Sequence, residues 1–110
     1  MPGQPHPPPD DPRVPENLVL HGRISIENSG EMRRALLQAL REMPVSVTID
    51  FSDVPYIDTS GLATLVEVAG IAHQQGTRLF LSAMQGQPRY LFEITSLGRL
   101  FDTPAPEAQT

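Results

Sequence analysis

Residues Val54 to Leu65 read Val-Pro-Tyr-Ile-Asp-Thr-Ser-Gly-Leu-Ala-Thr-Leu, and they join two runs of different periodicity. Before them, Val45 to Phe51 (Val-Ser-Val-Thr-Ile-Asp-Phe) alternates strictly. Val45, Val47, Ile49 and Phe51 face one way; Ser46, Thr48 and Asp50 face the other, which is the pattern of a strand. After them comes a helix from about Ser60 to Gln75, with Leu62, Leu65, Val66, Ala69 and Ala72 or His73 as its inward stripe. Gly76 ends it, as a residue able to take the left-handed C-terminal conformation. A strand running through a Pro-containing loop into a helix points to an α/β fold.

The junction itself is Asp58-Thr59-Ser60-Gly61. Asp, Thr and Ser are all good helix N-caps, because a short side-chain oxygen can accept a free N–H of the first turn. The same helix end carries partial positive charge and exposed N–H groups, so an anion placed there is stabilised. A hydroxyl at that spot is well placed to carry a phosphoryl group.

Working outward, Asn17 to His21 (Asn-Leu-Val-Leu-His) reads as a short strand that stops at Gly22. Arg23 to Glu27 connects it, with an extended piece at Ile24 to Ile26, to a helix capped by Asn28 or Ser29 and running to about Glu42. Met32, Ala35, Leu36, Ala39, Leu40 and Met43 form one stripe of a 3.6-residue repeat, and Pro44 stops the helix. Downstream, Thr77 to Ala83 is a strand whose continuous apolar centre implies burial on both faces. Gly86 to Pro88 opens a last helix over about Arg89 to Ser96, with Tyr90, Leu91 and Ile94 inward. Leu97 to Phe101 is a short apolar segment that packs back on the domain. Strands alternating with helices imply right-handed crossovers. The expected architecture is a single α/β domain: a small, mostly parallel or mixed sheet of about four strands, flanked by helices.

The chain has 110 residues, enough for one compact domain. Met1 to Pro15 holds seven prolines and is expected to be a disordered tail; residues 103–110 form a second tail, and 16–102 the folded domain. The formal charge is −5 with no basic block, which argues against nucleic acid as a partner. Cysteine is absent, which excludes disulfides and thiolate chemistry. No apolar run approaches the roughly 20 residues that span a bilayer, and the N-terminus lacks the pattern of a signal peptide. The expected compartment is cytoplasmic. His6, His21 and His73 are scattered, none at metal-ligand spacing with another ligand, so neither metal nor cofactor is expected. Gly86-Gln87-Pro88 lacks the Gly-Lys-[Ser/Thr] ending of a phosphate loop. Ser60 has no nearby His in sequence and no Gly-x-Ser-x-Gly elbow surrounds it, so catalysis is not expected.

The order of elements, with Asp58-Thr59-Ser60-Gly61-Leu62 between a strand-end loop and a helix, resembles the STAS domain family over about Leu18 to Asp102. That family includes bacterial anti-sigma factor antagonists and domains of sulfate-type anion transporters. Tyr90-Leu91-Phe92-Glu93-Ile94-Thr95-Ser96-Leu97 is similar to its Arg-Leu-Phe-Asp-x-[Ser/Thr]-Gly-Leu segment, with Ser96 where Gly is usual. Gln75-Gly76 matches the family's helix-ending glycine. The resemblance to the antagonists implies that Thr59, directly after the motif Asp, is phosphorylated by a serine-kinase anti-sigma factor and reset by a phosphatase. It implies a partner-binding surface at Asp58, Thr59, Ser60, Gly61 and Leu62. Glu67, on the outward side of the same helix, is a further candidate for that surface.

Two departures accompany the resemblance. Many antagonists carry Gly-Glu-[Leu/Ile]-Asp before the first helix; here the run is Gly22-Arg23-Ile24-Ser25, without either acid. The family's usual additional strand before Leu18 is replaced by the Pro-rich stretch. Asp58-Thr59-Ser60-Gly61-Leu62-Ala63 also resembles the Asp-Thr-x-Gly-Leu-Ala of the soluble subunit of bacterial phospholipid ABC transporters. That likeness implies docking on an ATPase subunit without phosphorylation. A third expectation, from STAS domains suggested to bind nucleotides, is a small-ligand module at the helix N-terminus.

Overall fold

The computed structural model describes residues 13–102. Its elements run β1 (Pro15–His21), α1 (Ser29–Arg41), β2 (Ser46–Asp53), α2 (Thr59–Gln75), β3 (Arg78–Ser82) and α3 (Gly86–Thr95), followed by a 3-10 turn at Leu97–Leu100. The sheet has three strands in the order β1-β2-β3, paired in parallel throughout. This is the expected α/β class with one strand fewer among the described residues. The tail expected over residues 1–15 is described only from Arg13, and Pro15 already belongs to β1. Proline is tolerated there because it is the first residue of an edge strand, where a missing N–H costs least. The remainder of that tail, His6 included, and the tail expected over 103–110 lie outside the described residues.

Three consecutive parallel strands joined by right-handed crossovers place their helices on one face of the sheet. Val47, Ile49 and Phe51 on β2 turn toward that face and are fully buried. Met32, Leu36 and Leu40 of α1, with Leu62, Leu65, Val68, Ala69 and Ala72 of α2, close over them. Phe92 of α3 meets Phe51 edge-on with ring centres 6.4 Å apart, and Phe101 meets Phe92 at 5.9 Å. The other face has no covering helix among the described residues. Ser46, Thr48 and Asp50 are half-buried there, and so is Phe80, under the Arg78 guanidinium at 5.6 Å. The burial of β3 on both faces expected from its apolar run is therefore not found. Leu79 is buried on the helix side, while Phe80 meets its neighbours only partly.

Helix stripes read from periodicity are corrected in three places. On α1, Ala35 is exposed and Met43 leaves the helix, because its left-handed backbone (φ 54) turns the chain toward Pro44. On α2, Val66 faces outward and Val68 takes the inward place; His73 is exposed and Ala72 buried. On α3, Tyr90 and Ile94 are 60% and 57% exposed, and Phe92 and Pro88 are the buried pair. Apolar residues surround this short helix, so the sequence permits either face. The aromatic space between Phe51 and Phe101 selects Phe92.

Polar groups tie the far end of the helix layer together. The Gln75 amide donates to the Leu40 carbonyl at 2.9 Å and to Thr77 Oγ1 at 2.8 Å; Thr77 Oγ1 donates to the Pro44 carbonyl at 2.8 Å. These bonds tie the end of α2 to the turn that follows α1: the Leu40 carbonyl, which also accepts the Met43 N–H, and the Pro44 carbonyl beyond the helix each gain a side-chain donor. Gly76 adopts the left-handed cap (φ 78) expected of it. At the end of the described residues, Asp102 bridges to β3, its N–H donating to the Leu79 carbonyl and its carboxylate accepting the Leu79 N–H, both at 2.8 Å.

Candidate functional site

After β2 the chain crosses Val54 to Ile57 and turns into α2. This corner is built from within. Val54 and Ile57 are buried. The β1–α1 loop runs beside it: Ile24 N–H donates to the Tyr56 carbonyl at 2.9 Å, and Asp58 N–H donates to the Ile24 carbonyl at 3.0 Å. Ile24 and Ile57 thereby form an isolated parallel bridge beyond the end of the sheet.

Asp58 is the N-cap of α2, with extended backbone (φ −102, ψ −174). Its Oδ1 accepts the Ser60 N–H at 3.0 Å, the Gly61 N–H at 3.1 Å and the Ser60 hydroxyl at 2.6 Å. Its Oδ2 accepts the Ile26 N–H at 3.1 Å. The Ser60 hydroxyl chiefly, with the backbone N–H groups of Gly61, Ile26 and Ser60, holds this carboxyl below the ordinary range against a smaller opposing effect of desolvation. Both carboxylate oxygens are thus committed to the protein's own donors.

Thr59 is the first residue of α2 and is exposed, and its hydroxyl makes no hydrogen bond among the described residues. Capping belongs to Asp58, not to Thr59 or Ser60. Ser60 is half-buried with its hydroxyl bound to Asp58. Gly61 is buried against the loop that precedes it. A Cβ there would stand 2.7 Å from Ile57 Cγ1 and 2.8 Å from Ile24 Cγ2, distances that real Cβ atoms do not tolerate. Leu62 is buried in the core. Glu67, two turns along α2, is engaged by Arg33 of α1 through paired bonds of 2.8 and 2.7 Å. Those bonds hold its carboxyl below the usual range. Of the six candidate partner-binding residues, Thr59 alone presents an unengaged polar group to solvent. Asp58 and Ser60 shape the corner, Gly61 and Leu62 support it from inside, and Glu67 joins α1 to α2.

Three further residues belong to the corner. Ile26 is 77% exposed next to Asp58, to which its amide is bonded. Arg23 lays its guanidinium over the Tyr56 ring at 4.2 Å, a cation–π arrangement at the position where many antagonists carry the first of their two acids. Gln87, at the start of α3, accepts the Ile57 N–H at 2.9 Å and donates to the Ile57 carbonyl at 2.9 Å. Ile26 had one signal in the sequence, a second large apolar residue beside Ile24 in a short connecting segment, and only the structure shows that Ile24 is buried and Ile26 exposed. Gln87 had none, because its partner lies 30 residues away. Elsewhere, His21 Nδ1 meets Asp53 Oδ2 at 2.9 Å on the surface. Among the described residues no three His, Cys, Asp or Glu side chains gather as metal ligands. No described helix is long and apolar enough to cross a membrane.

The comparisons agree with this architecture. The fold is similar to that of the anti-sigma factor antagonist SpoIIAA in its unphosphorylated form, with a TM-score of 0.70 at 16% identity over 88% of this chain and 85% of that one. It is also similar to a sulfate transporter family protein from Wolinella succinogenes, with a TM-score of 0.69 at 19% identity over 80% of this chain and 71% of that one. At such identities the likeness shows the fold. The family model described as "Mlab, STAS domain" matches residues 10–102, sheet, corner and α3 included, and the chain belongs to the STAS domain family.

Proposed function

We propose that this domain is a regulatory protein-binding module that docks through the N-terminal corner of α2 and is switched by phosphorylation of Thr59. The observation that carries this reading is the division of labour at the corner. Asp58 takes both the cap and the Ser60 hydroxyl, while the Thr59 hydroxyl stands exposed without a hydrogen bond among the described residues. In the transfer, Thr59 Oγ1 bonds to the γ-phosphorus of ATP as the bond to ADP breaks, and the hydroxyl proton leaves to a base of the kinase. The product adds about −1.5 to −2 charges at pH 7. The helix N-terminus tolerates that charge in the domain itself, whereas a partner surface packed on Thr59 has to desolvate it. Binding before phosphorylation and release after it follow.

The proposed partner is a serine-kinase anti-sigma factor, with a phosphatase to restore the hydroxyl and the cytoplasm as the compartment. The role is binding rather than catalysis. Incubation with that kinase and ATP is expected to add one phosphoryl group to the wild type and none to Thr59→Ala. A wild type left unlabelled by a kinase active on its own antagonist refutes the switch.

A second reading has its own support. The run Asp58-Thr59-Ser60-Gly61-Leu62-Ala63 and the match to the Mlab model favour a static docking subunit of a phospholipid-type ABC transport complex. Arg23 at an acid position of the antagonists points the same way. Stable copurification with an ATPase subunit, undiminished by ATP, selects this reading over the switch.

A further inference from the structure

Ile57 sits beyond the sheet yet is hydrogen-bonded as if within one. In a parallel bridge, one of the two residues turns its own N–H and C=O toward the partner strand, where they bond to the residues before and after its opposite number, and that opposite residue turns its own N–H and C=O the other way. Tyr56 and Asp58 accordingly bond to Ile24, and the Ile57 N–H and carbonyl point to the opposite side. No strand lies there: β3 ends at Ser82, whose partner on β2 is Asp50. Ile57 is fully buried, so a backbone N–H and carbonyl left open at this place carry the desolvation cost of unmade hydrogen bonds. The Gln87 side chain fills the gap. Its amide has one acceptor and one donor face, as a peptide does, and both are used on Ile57 at 2.9 Å.

We infer that Gln87 is a positioning residue for the docking corner, acting through Ile57 to hold Asp58 and Thr59 in the geometry a partner recognises. The route is short. Ile57 is bonded to Gln87 on one side, is covalently joined to Asp58, and packs its side chain where Gly61 has no Cβ. Gln87 is the second residue of α3, and Pro88 beside it is buried, so the amide is delivered from an anchored first turn. A helix distant in sequence thereby sets the presentation of Thr59. The inference rests on the reading of this corner as the docking site, and it adds a residue that does not touch the partner.

The test uses the full chain with Gln87→Ala, Gln87→Glu and, as a control on the same helix, Arg89→Ala. In the free protein, amide exchange measured by NMR is expected to speed up at Ile57 by about tenfold in Gln87→Ala, the scale of one lost hydrogen bond, with Ile49 unchanged. In Gln87→Glu the carboxylate cannot donate to the Ile57 carbonyl. The Ile57 to Gly61 amide signals therefore shift at pH 7 and return toward wild type in acid, where a protonated carboxyl again offers one donor and one acceptor. Affinity for the serine-kinase anti-sigma factor, or for the ATPase subunit if that is what binds the wild type, is expected to fall about tenfold in Gln87→Ala and to stay unchanged in Arg89→Ala. Unchanged Ile57 exchange overturns the inference. Faster exchange with unchanged affinity overturns its docking half and leaves Gln87 a structural residue. If neither partner binds the wild type, the functional reading fails by itself, and the Ile57 exchange still decides whether Gln87 sets the corner.

Discussion

The Ser60 hydroxyl donates to the Asp58 carboxylate at 2.6 Å, and this one bond separates the roles of two adjacent hydroxyl residues. Ser60 is drawn into the cap. Thr59, one position earlier, is left at the surface of the helix end. One short bond thus engages the Ser60 hydroxyl and leaves that of Thr59 without a partner among the described residues.

Acid stability reports the cap. Asp58, Asp50 and Glu67 are all held below their ordinary values, 3.8 for the two Asp and 4.5 for Glu. A carboxyl with a depressed folded-state value contributes stability above its unfolded value and loses it as pH falls through the folded one. Asp58→Asn keeps a capping oxygen but cannot titrate. Its thermal midpoint is expected to lie below that of the wild type at pH 7, with the gap closing as pH falls below about 4. Circular dichroism melts across that range check it; a gap independent of pH refutes it.

Gly61 and Gly70 lie on the same helix with opposite requirements. A Cβ at Gly61 meets Ile57 and Ile24 below 3 Å, whereas one at Gly70 meets nothing within 4 Å. Gly61→Ala is expected to cost about 1–3 kcal/mol by overpacking, and Gly70→Ala to gain up to about 1 kcal/mol from helix propensity. Denaturant titration of both variants measures the difference in sign.

Ser96 ends α3 with a left-handed backbone, φ 59, in the place where the family's segment has glycine. A residue with a Cβ is strained there. Ser96→Gly is expected to raise stability by about 0.5–1 kcal/mol without altering partner binding. A midpoint equal to or below that of the wild type argues against strain at this cap.

The two faces of α3 differ sharply. Phe92 is 6% exposed between Phe51 and Phe101, while Ile94 is 57% exposed. Phe92→Ala is expected to cost about 3–5 kcal/mol, and Ile94→Ala to stay within about 0.5 kcal/mol. Comparable losses at both positions would reverse the assignment of the inner face.

Much of this protein was legible in one dimension. Strict alternation over Val47 to Phe51 determined which side of β2 is buried, since a strand's side chains alternate whatever surrounds it. Pro44, Gly76 and Asp58 punctuated the helices through their own backbone chemistry. The motif around Thr59 located the corner, because capping and the helix dipole are local effects. Tertiary structure decided the rest, where several local answers were equally good. Val68 instead of Val66, and Phe92 instead of Tyr90 and Ile94, turned inward because the core had room for those shapes on those sides. That the described helices lie on one face of the sheet followed from the crossovers, which no stretch of apolar residues announces. Glu67 found Arg33 34 residues away, and Gln87 found the Ile57 backbone 30 residues away. At Asp58 to Gly61, sequence alone placed a carboxylate and two hydroxyls, each able to cap, at a helix N-terminus. Only the folded chain determined that Asp58 takes Ser60 and that Gln87 completes the bridge behind Ile57, because hydrogen bonds between distant segments exist only once the segments meet.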